Sequence, residues 1–167
     1  MILIMISELL QEASIMHIVL VEPEIPSNTG NISRTCAVTG ATLHLVGKLG
    51  FSVDDKQLRR AGLDYWDSLD LHYHESFEKL ERKYPEARFF PASTKAANNY
   101  AEFSYQSDDF FIFGKETAGL PKYIIDKYAA SAIRIPMGEK LRSLNLSNAV
   151  AIVLYEALRQ TGFPELR

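Results

Sequence analysis

Three short runs rich in glycine, asparagine and charge, each just after an apolar stretch, constrain this chain more than any other feature. They are residues 26–34 (Pro-Ser-Asn-Thr-Gly-Asn-Ile-Ser-Arg), 113–121 (Phe-Gly-Lys-Glu-Thr-Ala-Gly-Leu-Pro) and 142–148 (Arg-Ser-Leu-Asn-Leu-Ser-Asn). Glycine after a buried strand lets the backbone turn sharply and lets a ligand approach its N–H and C=O groups. Three such turns in one small domain read as the walls of a single ligand pocket.

The apolar runs alternate with helical ones. Strand-like stretches fall at 17–21, 42–46, 69–73, 87–92, 110–113 and 132–135. Helical stretches fall at about 29–39, 54–61 (with Asp54 as N-cap), 76–83, 121–128 (with Pro121 in the favoured first turn) and 147–160. Strands separated by helices predict an α/β fold, a mainly parallel sheet with helices on both faces. The last helix carries Val150, Ile152, Val153, Leu154, Tyr155 and Leu158, leaving little polar surface before Glu156 and Arg159. Such a helix is buried on most sides, by its own chain or in part by a second copy. Residues 98–109 form the most polar and irregular stretch and read as a surface loop.

At 167 residues the chain is long enough to bury one full core, and its 47% hydrophobic and 23% charged content is ordinary for a globular protein. Its net charge of −3 excludes a broadly basic nucleic-acid coat, so any RNA contact must come from a local patch. A lone Cys36 precludes an internal disulfide and makes a reduced, cytoplasmic compartment the simplest reading. The apolar start, Met1 to Ile6, is far short of the ~20 residues of a membrane span and lacks a basic leader. Residues 1–15 are therefore read as an extension upstream of a single domain, 16–167, with Met16 a plausible start. His17, His44, His72 and His74 lack the carboxylate or cysteine spacing of a zinc site, so they are read as structural or surface histidines and no metal is expected.

With their flanks, Glu-Pro-Glu-Ile-Pro at 22–26, the basic run 54–65 and Ile-Arg-Ile-Pro-Met at 133–137, the three loops resemble the motifs of the SPOUT class of RNA methyltransferases. The likeness is to the short form that methylates the ribose 2′-oxygen of the tRNA wobble nucleotide, and it runs from about Met16 to Pro164. The resemblance implies a sheet whose C-terminal segment is threaded into a deep trefoil knot, a homodimer, tRNA as partner, and S-adenosyl-L-methionine bound in the knot. Knots are nearly absent from proteins, so no pattern of periodicity would suggest one.

The same resemblance assigns residues. Ala92, Gly114, Gly119 and Ile135 are expected at the cofactor, largely through backbone atoms, together with Met137 and Ser143; Leu144 walls the adenine. Glu116 either orders its loop or faces the sulfonium. Arg34 is the expected catalytic residue at the 2′-hydroxyl. A guanidinium gives up its proton too reluctantly to be an easy base, so clamping a phosphate and orienting the hydroxyl is its easier role. Asn28, Asn145 and Arg142 are expected near the substrate.

Lys56, Arg59 and Arg60 share one side of a helical turn and form either a tRNA backbone footprint or a solvated face. Tyr65 and Trp66 beyond them suit base stacking or the core. Two other classes remain: an RNA-binding factor that has lost catalysis, and a nucleotide-dependent oxidoreductase. Intact Arg34, Glu116 and Asn145 count against the first, and the missing G-x-G-x-x-G fingerprint against the second.

Overall fold

Short apolar strands alternating with helices leave parallel pairing as the natural outcome, and the chain adopts it. The structure, a computed structural model, describes residues 16–52, 65 and 68–167. In chain order the elements are β1 (His17–Val21), α1 (Pro26–Thr39), β2 (Thr42–Val46), β3 (Leu71–His74), α2 (Phe77–Lys83), β4 (Phe89–Pro91), β5 (Asn98–Asn99), β6 (Phe110–Phe113), α3 (Lys122–Lys127), β7 (Ile133–Arg134) and α4 (Leu146–Gln160). The helix expected at 54–61 and everything expected of residues 1–15 lie outside the described residues.

The main sheet has the order β3-β2-β1-β6-β4, with every neighbouring pair parallel. His17 lies opposite both Thr42 and Phe110, so the central strands run in step and their C-terminal ends share one edge. A second parallel pair, β5 with β7, joins the main sheet through a bridge between Ala92 and Ile133. In an open parallel sheet, ligands bind beyond the carboxyl ends of the strands, which marks that edge as the place to look.

Both faces are covered. Ile18, Leu20, Leu43, Leu45 and Phe111 pack with Ile32 and Cys36 of α1 and with Val150, Val153, Leu154, Ala157 and Leu158 of α4. On the opposite face Val19, Val21, Val46 and Ile112 meet Phe77 and Leu80 of α2 and Ile124 of α3. Each fully buried Val, Leu or Ile contributes about 1.5–3 kcal/mol, so α4 is held chiefly by its inner face. Its outer stripe, with Asn148, Ile152 and Tyr155, stays exposed.

Two expectations need correction. Helix α1 begins at Pro26 rather than near Thr29: proline lacks the N–H that a first turn leaves unpaired anyway, and its fixed φ suits the helix. Residues 98–109 are no simple surface loop. They hold β5, a 3-10 turn at Tyr100–Glu102, the buried Tyr105 ring packed edge-on to Phe90 and Phe111, and the fully buried Asp109. Three aromatic side chains in this polar stretch supply apolar area that the charge pattern hides.

The four histidines gather on one face of the sheet, on a diagonal from His17 at the start of β1 through His44 in the middle of β2 to His74 at the end of β3. The Nδ1 of His17 lies 3.0 Å from Nε2 of His44, whose Nδ1 lies 3.0 Å from Nε2 of His74. His17 also stacks on Phe110 with ring centroids 3.9 Å apart. Burial disfavours the charged ring, holding His17 down to about 4 and His44 down to about 2. His17 and His44 are thus neutral parts of the packed face.

Candidate functional site

Beyond the C-terminal ends of β1, β4, β6 and β7 the connecting loops enclose a cavity of about 510 Å³, within the range of small-molecule sites. The loop after β6 shapes it. A Cβ on Gly114 would sit 2.0 Å from the carbonyl carbon of Gly119 and 2.1 Å from the nitrogen of Leu120. The loop doubles back onto itself there, with Gly119 N donating to Lys115 O at 2.8 Å. Gly119 closes the turn at φ +70, a left-handed conformation that favours glycine. The loop's own path thus calls for both glycines, as the sharp turn expected after this strand does.

Carboxylates tie this loop to the one after β1. Glu116 accepts from Glu24 N at 2.9 Å, Ile25 N at 3.2 Å and Asn28 Nδ2 at 3.1 Å. Glu24 answers in reverse, accepting from Thr117 N at 3.2 Å and Thr117 Oγ1 at 2.7 Å, and these bonds hold its carboxyl below the usual range. Lys115 Nζ stands 3.1 Å from Glu22 Oε2, where Glu22 itself takes a left-handed φ of 50. A non-glycine residue in that conformation is strained, and such strain gathers at sites the surroundings over-determine.

The third loop is bound in through asparagine. Asn145 Nδ2 donates to Asn28 Oδ1 at 3.0 Å, while Asn145 Oδ1 caps α4 by accepting from Ser147 N at 2.9 Å. The donors run Asn145 to Asn28 to Glu116, each amide polarised toward the carboxylate, which strengthens the chain. The three glycine- and asparagine-rich runs therefore meet, stitched by Glu116, Asn28 and Asn145.

Residues singled out from the sequence fall into three groups. Ala92, Gly114, Glu116 and Gly119 line the cavity from the loops after β4 and β6, and Ile135, Met137, Ser143 and Leu144 from the segment after β7; Asn28 and Asn145 line it too. Arg34 and Arg142 do not line it. Arg34 projects from the exposed side of α1, its guanidinium donating to Tyr65 Oη at 3.1 Å and lying 4.8 Å from that ring's centroid. Lys56, Arg59, Arg60 and Trp66 lie outside the described residues. Sequence reasoning missed Ser93, Thr94 and Lys95, which also line the cavity. Their signal was position: a polar triplet directly after the short strand β4, at the edge where ligands bind.

The wall combines apolar side chains (Ile135, Leu144, Leu146) with loop backbone around a glycine that can carry no Cβ. That suits a flat heterocycle read through main-chain atoms. A model of the SpoU rRNA Methylase family matches residues 15–155. The chain belongs to this family. Within reach of this SpoU chain are two relatives named tRNA (cytidine(34)-2'-O)-methyltransferase. The one from Yersinia pestis is 53% identical over 156 residues, covering 89% of this chain and 96% of its own. The one from Escherichia coli (strain K12) is 50% identical over 151 residues, with the same coverage. Among solved structures, one presented as structural insights into the 2-OH methylation of C/U34 on tRNA superposes with a TM-score of 0.86 at 40% identity, covering 89% of this chain and 97% of that one. An AdoMet-bound rRNA methyltransferase from Sinorhizobium meliloti gives 0.79 at 26% identity, covering 89% and 57%.

Proposed function

We propose that this SpoU-family chain methylates the ribose 2′-oxygen of nucleotide 34 of tRNA, cytidine or uridine, using S-adenosyl-L-methionine. What carries the reading is the cavity itself, walled by all three motif loops in a chain half-identical to proteins of that name. When bound, the cofactor supplies a methyl group activated on a sulfonium sulfur. The residues of the chain then have to hold it, exclude water and align an oxygen. Gly114, Ile135, Ser143 and Leu144 hold the adenosyl portion, with Ala92, Gly119 and Met137 completing the wall. Glu116, Asn28 and Asn145 keep the loops in register, so that positioning, worth up to about 7–11 kcal/mol of barrier, is set before substrate arrives.

Arg34 binds the target's phosphate and orients its 2′-hydroxyl, with Arg142 as a further phosphate contact and Lys56, Arg59 and Arg60 as the backbone footprint. Since Arg34 does not line the cavity of its own chain, the site is completed by a second copy. Exposed Val38 on α1 and Ile152 and Tyr155 on α4 support that homodimer. The C-terminal segment is threaded as a trefoil knot within the single domain 16–167, and the enzyme works in the cytoplasm. Family membership supports the knot, and the buried free Cys36 supports a reducing compartment.

Labelled S-adenosyl-L-methionine incubated with the protein and unmodified tRNA transcripts, followed by nucleoside mapping, tests the reading. It predicts 2′-O-methylcytidine or 2′-O-methyluridine at position 34. Label at another position, or none on any transcript, contradicts it.

A further inference from the structure

Two lysines line the cavity, and they differ in one respect. Lys115 has its charge answered by Glu22 at 3.1 Å. Lys95 is exposed, and among the described residues no side chain engages its ammonium. The acid on the wall, Glu116, is already committed to three donors from the β1 loop. The lining therefore presents one unanswered positive charge.

The backbone beneath that charge is fixed. Ser93 N donates to Ile133 O at 2.9 Å, tying the turn to β7. Ser93 Oγ accepts from Lys95 N at 3.2 Å, and Ala96 N donates to Ser93 O at 3.2 Å. Ala96, 4% exposed, pins the far side of the turn into the interior. A tethered turn that carries a free cation along a ligand cavity suits an anionic group of that ligand.

We infer that Lys95 holds the carboxylate of the cofactor's amino-acid tail and makes the site selective for adenosyl thioethers that carry one. The inference rests on the cofactor reading given above. S-adenosyl-L-methionine bears a sulfonium, an ammonium and a carboxylate, and only the last attracts a lysine. A phosphate of bound tRNA is the competing anion. The carboxylate is favoured because Lys95 shares its cavity with Gly114, Ile135 and Leu144, the residues assigned to the adenosyl group.

The test is calorimetric titration with S-adenosylhomocysteine and with its decarboxylated analogue, which keeps the ammonium but lacks the carboxylate. Wild type should prefer the first by about three- to tenfold, the range for a charged contact at a partly solvated rim. Lys95→Gln should erase that preference by weakening only S-adenosylhomocysteine, and Lys95→Arg should retain most of it. Both variants should unfold at the wild-type temperature, since Lys95 is exposed. An unchanged preference in Lys95→Gln overturns the inference, as does an equal loss for both ligands. Weaker tRNA binding with the preference intact would assign Lys95 to a phosphate instead, which also overturns it. Failure of wild type to bind either ligand removes the cofactor reading and this inference together, whereas binding without a preference removes only the inference.

Discussion

The loops beyond the sheet and one of its packed faces place polar groups by opposite means. At the C-terminal edge, charged Glu24 and Glu116 span loops distant in sequence, each answered by backbone or side-chain donors. On one face of the sheet His17, His44 and His74 join in a chain of rings that crosses three strands against Phe110 and Tyr84, and burial disfavours their charged forms. Carboxylates in the first region order loops that must meet a ligand. Neutrality at the second lets hydrogen-bonding rings sit within the packed face without the cost of a buried ion. The comparison teaches that a packed polar cluster and a functional one are separated by residue type and by whether they sit on the sheet or in the loops beyond it.

The largest effect should come from Gly114→Ala. With backbone only 2.0 Å from the new Cβ, the loop cannot keep its path. Loss of about 3 kcal/mol in urea unfolding is expected, with S-adenosylhomocysteine binding abolished. Near-normal stability and binding would break the claim that this loop shapes the cavity.

Arg34→Ala should leave stability within about 0.5 kcal/mol, because the side chain is exposed, and leave cofactor affinity unchanged. Transfer to nucleotide 34 should fall about 100-fold or more, the scale of lost alignment. Single-turnover kinetics at saturating cofactor checks this, and a fall in cofactor affinity instead would move Arg34 from substrate to cofactor.

The histidine face should announce itself in acid. His17 and His44 have folded values below the unfolded 6.5, so the unfolded chain binds more protons as pH drops below 6.5 and stability falls. Asp109 opposes them: burial raises it from 3.8 to about 6, so the folded state takes up its proton first in that window. With His17, His44 and His74 all lowered against one raised carboxylate, the slope is a net loss of stability as pH falls from 6 toward 4. His44→Leu should flatten that slope, as urea unfolding across the range would reveal. An unaltered slope would mean the ring chain is not what acid attacks.

The smallest effect belongs to neither region. Lys122→Ala removes an exposed pair with Asp126 on α3 and should change stability by less than about 0.5 kcal/mol. A larger loss would show that surface pairing matters here as much as the loop network.

How far the sequence foretold these regions depended on whether a property is local. Strands β2 and β6 were readable to the residue, because the β-branched and apolar alternation of Thr42–Val46 and the continuous apolar run Phe110–Phe113 are each bounded by turn residues. The N-cap of α2 was nearly so, since Ser76 stands just before an amphipathic turn and accepts from Lys79 N. Long-range pairings were not readable. Nothing in the run around Glu116 shows that its carboxylate reaches back to Asn28, or that the histidines of three strands fall in line across the sheet. Resemblance pointed to the residues along the cavity, yet it passed over Lys95, whose place follows only once Ser93 is seen bonded to β7.

The central claim is that the three loops at the C-terminal edge hold an adenosyl ligand. A crystal structure of the protein soaked with S-adenosylhomocysteine tests it most directly. Density for the adenosine between Gly114, Ile135 and Leu144 is the predicted result. An empty cavity at saturating ligand, or density bound elsewhere on the chain, would contradict it.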